Sequence, residues 1–467
     1  MKKTLKWRHE RDSLGDMKIP LHALYGAQTA RALENFPISG RTAHPSLIRA
    51  YLRIKLAAAA SNQSCGALDS GRAHLITHAV KYLLTMNETQ WSAHFPVDPY
   101  QAGAGTSQNM NVNEVIANRA NQLKKRPLGT YAPVHPNDHV NLSQSTNDTF
   151  PTAMKLALLE DSRTLQQELK KLSQVFKLQG SKWRFIPKAA RTHLQDAVPM
   201  TLGQEFSAYG ETLKKCADWT AEAREKLREL GIGGSAAGTG LTVPAHFSEM
   251  IREHLEKLSG EKLWISKNLF ESMQSQASIV YYSSMLRLTA LELTRICNDL
   301  RLLASGPLNG LHEIDLPAAQ PGSSMMPGKV NPSLLEMANQ TWFAILGYDH
   351  TIACAAQAGQ LELNVMMPII AHSALEATRF SARAIASLRL RCIQGIQPNF
   401  ARLRRNFENT PQTATVLTRL LGYETTAHLV QEALLLGVSV IELVRKKNLI
   451  PESTLKTLLN TRTLTGL

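Results

Sequence analysis

Cysteine is scarce in this chain: five residues in 467, at Cys65, Cys216, Cys297, Cys354 and Cys392. Their odd number and wide scatter exclude a disulfide framework and a thiolate metal cluster, and a reducing, cytoplasmic location is expected. Long apolar runs are missing too, since no uncharged stretch is long enough to cross a bilayer. The charged start, with Lys2, Lys3, Lys6, Arg8 and Arg11, leads into no apolar signal-peptide core, so no membrane partner is expected. His135, His139, His312 and His372 fall in no His-Glu-x-x-His metal motif, and no metal or organic cofactor is expected. Acidic residues are in deficit: 38 Asp plus Glu against 52 Lys plus Arg leave a net charge of +14. Such an excess steers anionic substrates, attracts nucleic acid, or forms a solvated basic surface. The late arginines (Arg379, Arg383, Arg389, Arg391, Arg402, Arg404, Arg405) are not interleaved with aromatics, and zinc-finger spacing is absent. Nucleic acid is therefore not the expected partner.

Strand alternation is also rare, and helical periodicity takes its place. Leu165, Leu169, Leu172, Val175 and Phe176 recur at three- and four-residue steps and mark the buried stripe of a long helix after Pro151. Leu286, Leu293, Ile296, Leu300 and Leu303 follow near-heptad spacing in a second helix from about Ser272. A third is expected from about Leu334, broken or bent near Gly347, and a fourth after Asn364. Rods of this length must pack their stripes on other rods, so the fold class is all-α. A chain of 467 residues holds two or three domains. The expected division is an N-terminal, mainly helical domain over 1–139, a central long-helix domain over 140–397, and a small C-terminal helical domain over 398–467. Neither a low-complexity tract nor a short repeat is present.

Four polar segments stand out against this background. Gly103-Ala104-Gly105-Thr106-Ser107-Gln108-Asn109 precedes an apolar-periodic stretch, and Ser143-Gln144-Ser145-Thr146-Asn147-Asp148 precedes the first long helix. Arg191-Thr192-His193-Leu194-Gln195-Asp196 lies ahead of Leu202-Gly203-Gln204-Glu205. The fourth is Gly322-Ser323-Ser324-Met325-Met326-Pro327-Gly328-Lys329-Val330-Asn331-Pro332. In it, two glycines allow a mobile lid over 322–331, and Asn331 followed by Pro332 reads as an N-cap and first helical residue. Each segment alone reads as a plain helix cap, and His193 alone reads as a hydrogen-bonded structural histidine. Together, several helix N-termini, hydroxyls and a lysine suit a small dicarboxylate.

These segments closely resemble the signature regions of the aspartase/fumarase superfamily. The resemblance runs along nearly the whole chain, from Arg11-Asp12-Ser13-Leu14-Gly15 and Leu24-Tyr25-Gly26-Ala27-Gln28-Thr29 to Leu421-Gly422-Tyr423. It implies a three-domain fold whose long central helices form a homotetrameric bundle, with active sites shared between subunits. It also implies elimination from a succinyl-type substrate to give fumarate. Residue by residue, it makes Ser323 the catalytic serine and Ser324 its neighbour in the oxyanion-binding turn. Thr106, Ser145, Thr146 and Asn147 become substrate ligands, as do Thr192 and His193. Lys329 and Asn331 become carboxylate ligands, and Glu336 the acid that pairs with the motif histidine. His135-Pro136-Asn137-Asp138 resembles a secondary anion site of fumarases and is read as a structural loop.

The chemistry implied is removal of a proton from carbon beside a carboxylate, which needs stabilisation of a dianionic enediolate. Thr106, Ser145, Thr146 and Ser324 are the expected donors, where one such donor is worth ~10²–10³ in rate. Ser323 is the expected general base, a poor one unless its alkoxide is stabilised. Lys329 and Asn331 then hold the other carboxylate, and Asn147, Thr192 and His193 the leaving amino group. Smaller features lean to the aspartase branch and to ammonia elimination from L-aspartate: Ala104-Gly105-Thr106-Ser107, Ser145-Thr146-Asn147, and Gln360-Leu361-Glu362-Leu363-Asn364 through Pro368. The alternatives are malate/fumarate hydration and a non-catalytic basic binding protein on a lyase fold. Leu308, Thr242, Thr418 and Ala190 depart from residues common in the family, while the proton-transfer and carboxylate residues are intact.

Overall fold

The structure is a computed structural model that describes residues 6–467; Lys2 and Lys3 lie outside the described residues. It is all-α apart from four two-stranded sheets of short strands. An antiparallel hairpin of β1 (Trp7–Asp12) and β2 (Gly15–Pro20) begins the described chain. Helices α1 (Pro45–Ser64) and α2 (Thr106–Gln122) follow, and then the five longest: α3 (Thr146–Lys182), α4 (Leu202–Glu225), α5 (Ala277–Leu303), α6 (Ser333–Gln357) and α7 (Met367–Arg391). Between α3 and α4 lies a second hairpin, β3 (Pro187–Thr192) and β4 (Gln195–Thr201).

The chain divides into two compact units. The first holds residues 1–166, 219–288 and 343–382, the second 167–218, 289–342 and 383–467. In the first, α1 buries Leu47, Ile48, Tyr51, Leu52 and Ile54, and the Tyr51 ring meets Phe150 edge-on with centroids 6.0 Å apart. Edge-to-face geometry sets the positive ring edge against the negative face and adds to the area buried. In the second, Phe176, Trp183, Phe206 and Tyr209 form an aromatic cluster, with Trp183 and Phe206 only 4.7 Å apart. Its C-terminal helices share a small core of their own around Leu417, Leu429, Val440, Leu443, Val444 and Leu455.

Three boundaries differ from the periodicity. The second long helix starts at Ala277, after a separate short helix over Leu269–Gln274, because Ser275 accepts the Ala277 N–H and resets the turn. Helix α6 runs unbroken through Gly347: one glycine weakens a helix by about 1 kcal/mol without breaking it. The same helix starts at Ser333, with Pro332 O accepting the Leu335 and Glu336 N–H groups, so Pro332 takes the place expected of Asn331. All five cysteines are free thiols. Among the described residues, no single helix is long and apolar enough to cross a membrane.

Candidate active site

The first two polar segments meet in the first unit. Thr106 opens α2 after Ala104 and Gly105, both with positive φ (59° and 81°), so the chain turns sharply into the helix. Glycine is required at 105 because a Cβ there would stand 1.9 Å from the Phe150 ring. Phe150 lies in the first turns of α3, so this close approach sets the α2 N-terminus beside that of α3. Behind both, fully buried Lys55 donates to Asn109 Oδ1 (2.9 Å), Asn141 Oδ1 (2.9 Å) and Gln144 Oε1 (3.0 Å). All three ammonium protons are thereby matched to amide oxygens. Burial pushes the Lys55 amine down to about 7, against the opposing pull of Asp148.

Asp148 fixes the second segment. Its Oδ1 accepts the Ser145 N–H (3.0 Å), and its Oδ2 accepts those of Gly233 (3.1 Å) and Ser235 (3.0 Å). Asn147 Nδ2 donates to Ala236 O at 2.8 Å across the same junction. Ser145, Thr146 and Asn147 are thus presented, half-buried, on a turn held from beneath by one buried carboxylate. Burial raises that carboxyl to about 7, opposed by the three N–H bonds and by Lys55. The motif Leu24 to Thr29 has a supporting part in this unit. Buried Glu114 of α2 accepts from Gly26 N (2.8 Å), Gln28 N (2.9 Å), Thr29 N (3.2 Å) and Thr29 Oγ1 (2.6 Å).

Thr192, His193 and the serine-lysine segment lie in the second unit. Thr192 ends β3, and His193 with Leu194 forms a two-residue hairpin loop with φ of 55° and 60°. The third segment is therefore a β-hairpin tip rather than a helix lead-in; the usual Asn-Gly signal of such a turn is absent from the sequence. Its neighbour Arg191 pairs with Glu313 at 2.7 Å, and Glu313 also meets Lys188 (3.2 Å) and Asn406 Nδ2 (2.9 Å). Burial pushes the Glu313 carboxyl up, but Arg191, Lys188 and Asn406 outweigh it and hold it below the usual glutamate value.

The 322–331 segment is an exposed loop closed at its base. Gly322 N donates to Lys329 O (2.9 Å), and Asn331 Nδ2 donates to Gly322 O (2.5 Å). A Cβ on Gly322 would stand 2.3 Å from Lys329 O, so only glycine permits this closure. Asn331 closes the loop through its amide N–H instead of capping α6, whose first turn begins from Pro332 O. Within the loop, Ser323 Oγ accepts the N–H groups of Met325 (3.1 Å) and Met326 (2.9 Å). Two amide donors on one hydroxyl oxygen favour negative charge there. An open cleft of about 540 Å³ brings Lys329 and Asn331 together with Arg301, His312 and Glu336. Glu336 lies 3.9 Å from Arg301, and among the described residues His193 is not its partner.

A family profile described as lyase matches residues 15–347. An aspartate ammonia-lyase from a Bacillus species is 42% identical over 453 residues, 97% of this chain and 96% of the relative. One from Pseudomonas aeruginosa is 43% identical, over 97% and 95%. The chain belongs to this lyase family. Among solved structures, fumarate lyase:delta crystallin from Brucella melitensis, bound to cobalt, matches with a TM-score of 0.93 at 41% identity, covering 98% of this chain and 99% of that one. A class II fumarase from Schistosoma mansoni matches at 0.92 and 34%, covering 98% of each. The all-α fold is that of these lyases. Within it, Lys55, Asp148, Glu114 and Glu313 are the supporting residues that motif reading overlooks. Asp148 sits inside the second segment, yet only its contacts with Gly233 and Ser235, more than 80 residues away, reveal its part.

Proposed function

We propose that the chain is an aspartate ammonia-lyase, a carbon–nitrogen lyase that reversibly eliminates ammonia from L-aspartate to give fumarate. The observation that carries the reading is Ser323, whose oxygen lies under two amide N–H groups in a chain 42–43% identical to aspartate ammonia-lyases along nearly all its length. Ser323 takes the proton from carbon beside the carboxylate, and its two donors lower the cost of the alkoxide form. The carboxylate becomes an enediolate held by Thr106, Ser145, Thr146 and Ser324. Lys329 holds the other carboxylate with Asn331, whose amide keeps a second N–H beyond the one given to Gly322. Asn147, Thr192 and His193 face the amino group; its C–N bond breaks as the enediolate collapses to fumarate.

The likeness of the four polar segments to those of the aspartase/fumarase superfamily supports a homotetramer whose copies complete one another's sites. A cytoplasmic location accords with five free thiols. Likeness to a class II fumarase keeps hydration of fumarate to malate as the second reading. Purified protein given L-aspartate is expected to release fumarate, followed by its ultraviolet absorbance, and ammonium in equal amounts. Turnover of malate alone would establish the second reading, and inertness to both would overturn the assignment.

A further inference from the structure

A cavity of about 300 Å³ in the first unit contains no residue of the proposed catalytic set. Lys155 of α3, Lys226, Glu229 and Glu271 line it, with Ser275 and Ser278 at the start of α5. Lys155 is 8% exposed, yet among the described residues its ammonium has a single acceptor, the carbonyl of Glu229 at 2.7 Å. A buried ammonium carries three donors and is costly to desolvate unless anionic or carbonyl oxygens meet them. Among the described residues, neither lysine forms an ion pair with either glutamate, although burial pushes the Lys155 amine down and both carboxylates pull it back up. The four charges therefore surround a space instead of neutralising one another in contact. An anion entering it would meet two carboxylates, and a cation two ammonium groups. A ligand with both charges on one small frame gives buried Lys155 an anionic partner and sets its own cation against the two glutamates.

We propose that this cavity binds a small α-amino acid as its zwitterion, its carboxylate on Lys155 and Lys226 and its ammonium on Glu229 and Glu271. The serines give it a preference for a short polar side chain. Ser275 Oγ accepts the Ala277 N–H (3.2 Å) and keeps its own proton to donate, and Ser278 stands one turn away. The site is independent of the assigned reaction, because none of its residues takes part in it.

Calorimetric titration of the full-length protein with L-serine tests the proposal. Saturable binding is expected at one site per chain, weakened about tenfold or more by Glu271→Gln and by Lys226→Gln, with lyase turnover unchanged. Both side chains are at the surface, so neither substitution threatens the fold. Ethanolamine, which lacks the carboxylate, and 3-hydroxypropanoate, which lacks the amine, are each expected to bind at least about tenfold more weakly than L-serine. No saturation below about 50 mM would overturn the site. So would binding that survives either substitution, and so would equal binding of either half-charged analogue. Because binding is read without turnover, failure of the catalytic assignment would leave this result unaffected.

Discussion

Asp148→Asn is the perturbation that tests how the proposed site is held. The carboxylate uses both oxygens, Oδ1 for the Ser145 N–H and Oδ2 for those of Gly233 and Ser235. Asparagine of the same shape has one acceptor oxygen. Its better orientation keeps the two bonds at Oδ2 and turns the NH₂ toward Ser145, setting donor against donor. Above about pH 8, where a carboxyl raised to about 7 is ionised, the loss is one charge-assisted bond, about 1.5–3 kcal/mol, together with the cost of an unpaired buried N–H. A total near 3–4 kcal/mol is expected, concentrated where Ser145, Thr146 and Asn147 are aimed. A shift of the order of 1 Å in that turn costs about 10²-fold in rate, because the reacting atoms leave the attack geometry. Steady-state deamination should therefore show kcat/KM falling about 10²-fold with helical content preserved by circular dichroism. A variant that keeps kcat/KM within about twofold would refute the claim that Asp148 holds the turn.

Three further variants separate roles within the second unit. Ser323→Ala should abolish turnover while leaving product binding and assembly mass intact, whereas Lys329→Ala should weaken product binding by about 1.5–3 kcal/mol; near-normal turnover in Ser323→Ala would remove it as the base. Glu313 carries a pH signature: its folded value lies below the reference of 4.5, so its stabilisation is present above that value and is lost as pH falls through the folded one. Glu313→Gln should flatten the acid limb of a stability–pH curve and cost about 3–5 kcal/mol at neutral pH, since Arg191 and Lys188 lose a buried partner. Urea unfolding at stepped pH reads both effects, and an unchanged acid limb would sink the linkage.

Much of the helical architecture is legible because a 3.6-residue repeat sustained over tens of residues has few alternative solutions. Leu165, Leu169, Leu172 and Phe176 are all fully buried along α3, as their spacing requires. The hairpin over Pro187–Thr192 and Gln195–Thr201 is not legible, since its strands of six and seven residues do not alternate cleanly between buried and exposed and the turn uses His193-Leu194. The serine-lysine segment is read in its chemistry but not in its fastening. Gly322 and Gly328 announce a turn, yet which side chain closes it depends on the Gly322 carbonyl returning to within 2.5 Å of Asn331, nine residues away. Glu313 lies beyond local reading altogether: its partners are 122 and 93 residues away in the chain.

Backbone strain links these hidden fastenings to the segments proposed for catalysis. Of the twelve non-glycine residues with positive φ among the described residues, four bear on these segments: Ala104 two residues before Thr106, Ser143 two before Ser145, His193 itself, and Ser235 against Asp148. Left-handed backbone at such residues costs about 1–2 kcal/mol each, so each must be imposed from outside. His193 takes its φ from the hairpin turn; for Ala104, Ser143 and Ser235 the imposing contacts are visible. Ala104 N donates to Val365 O (2.8 Å), Ser143 Oγ to Asn62 Oδ1 (2.7 Å), and Ser235 N to Asp148 Oδ2 (3.0 Å). Each comes from a residue far away in sequence, which is why the polar segments read as ordinary caps until their partners are known. The inference runs from observed strain to function: neighbouring hydroxyls and amides are held in one arrangement before any ligand arrives, and that preorganisation is what stabilising an enediolate demands.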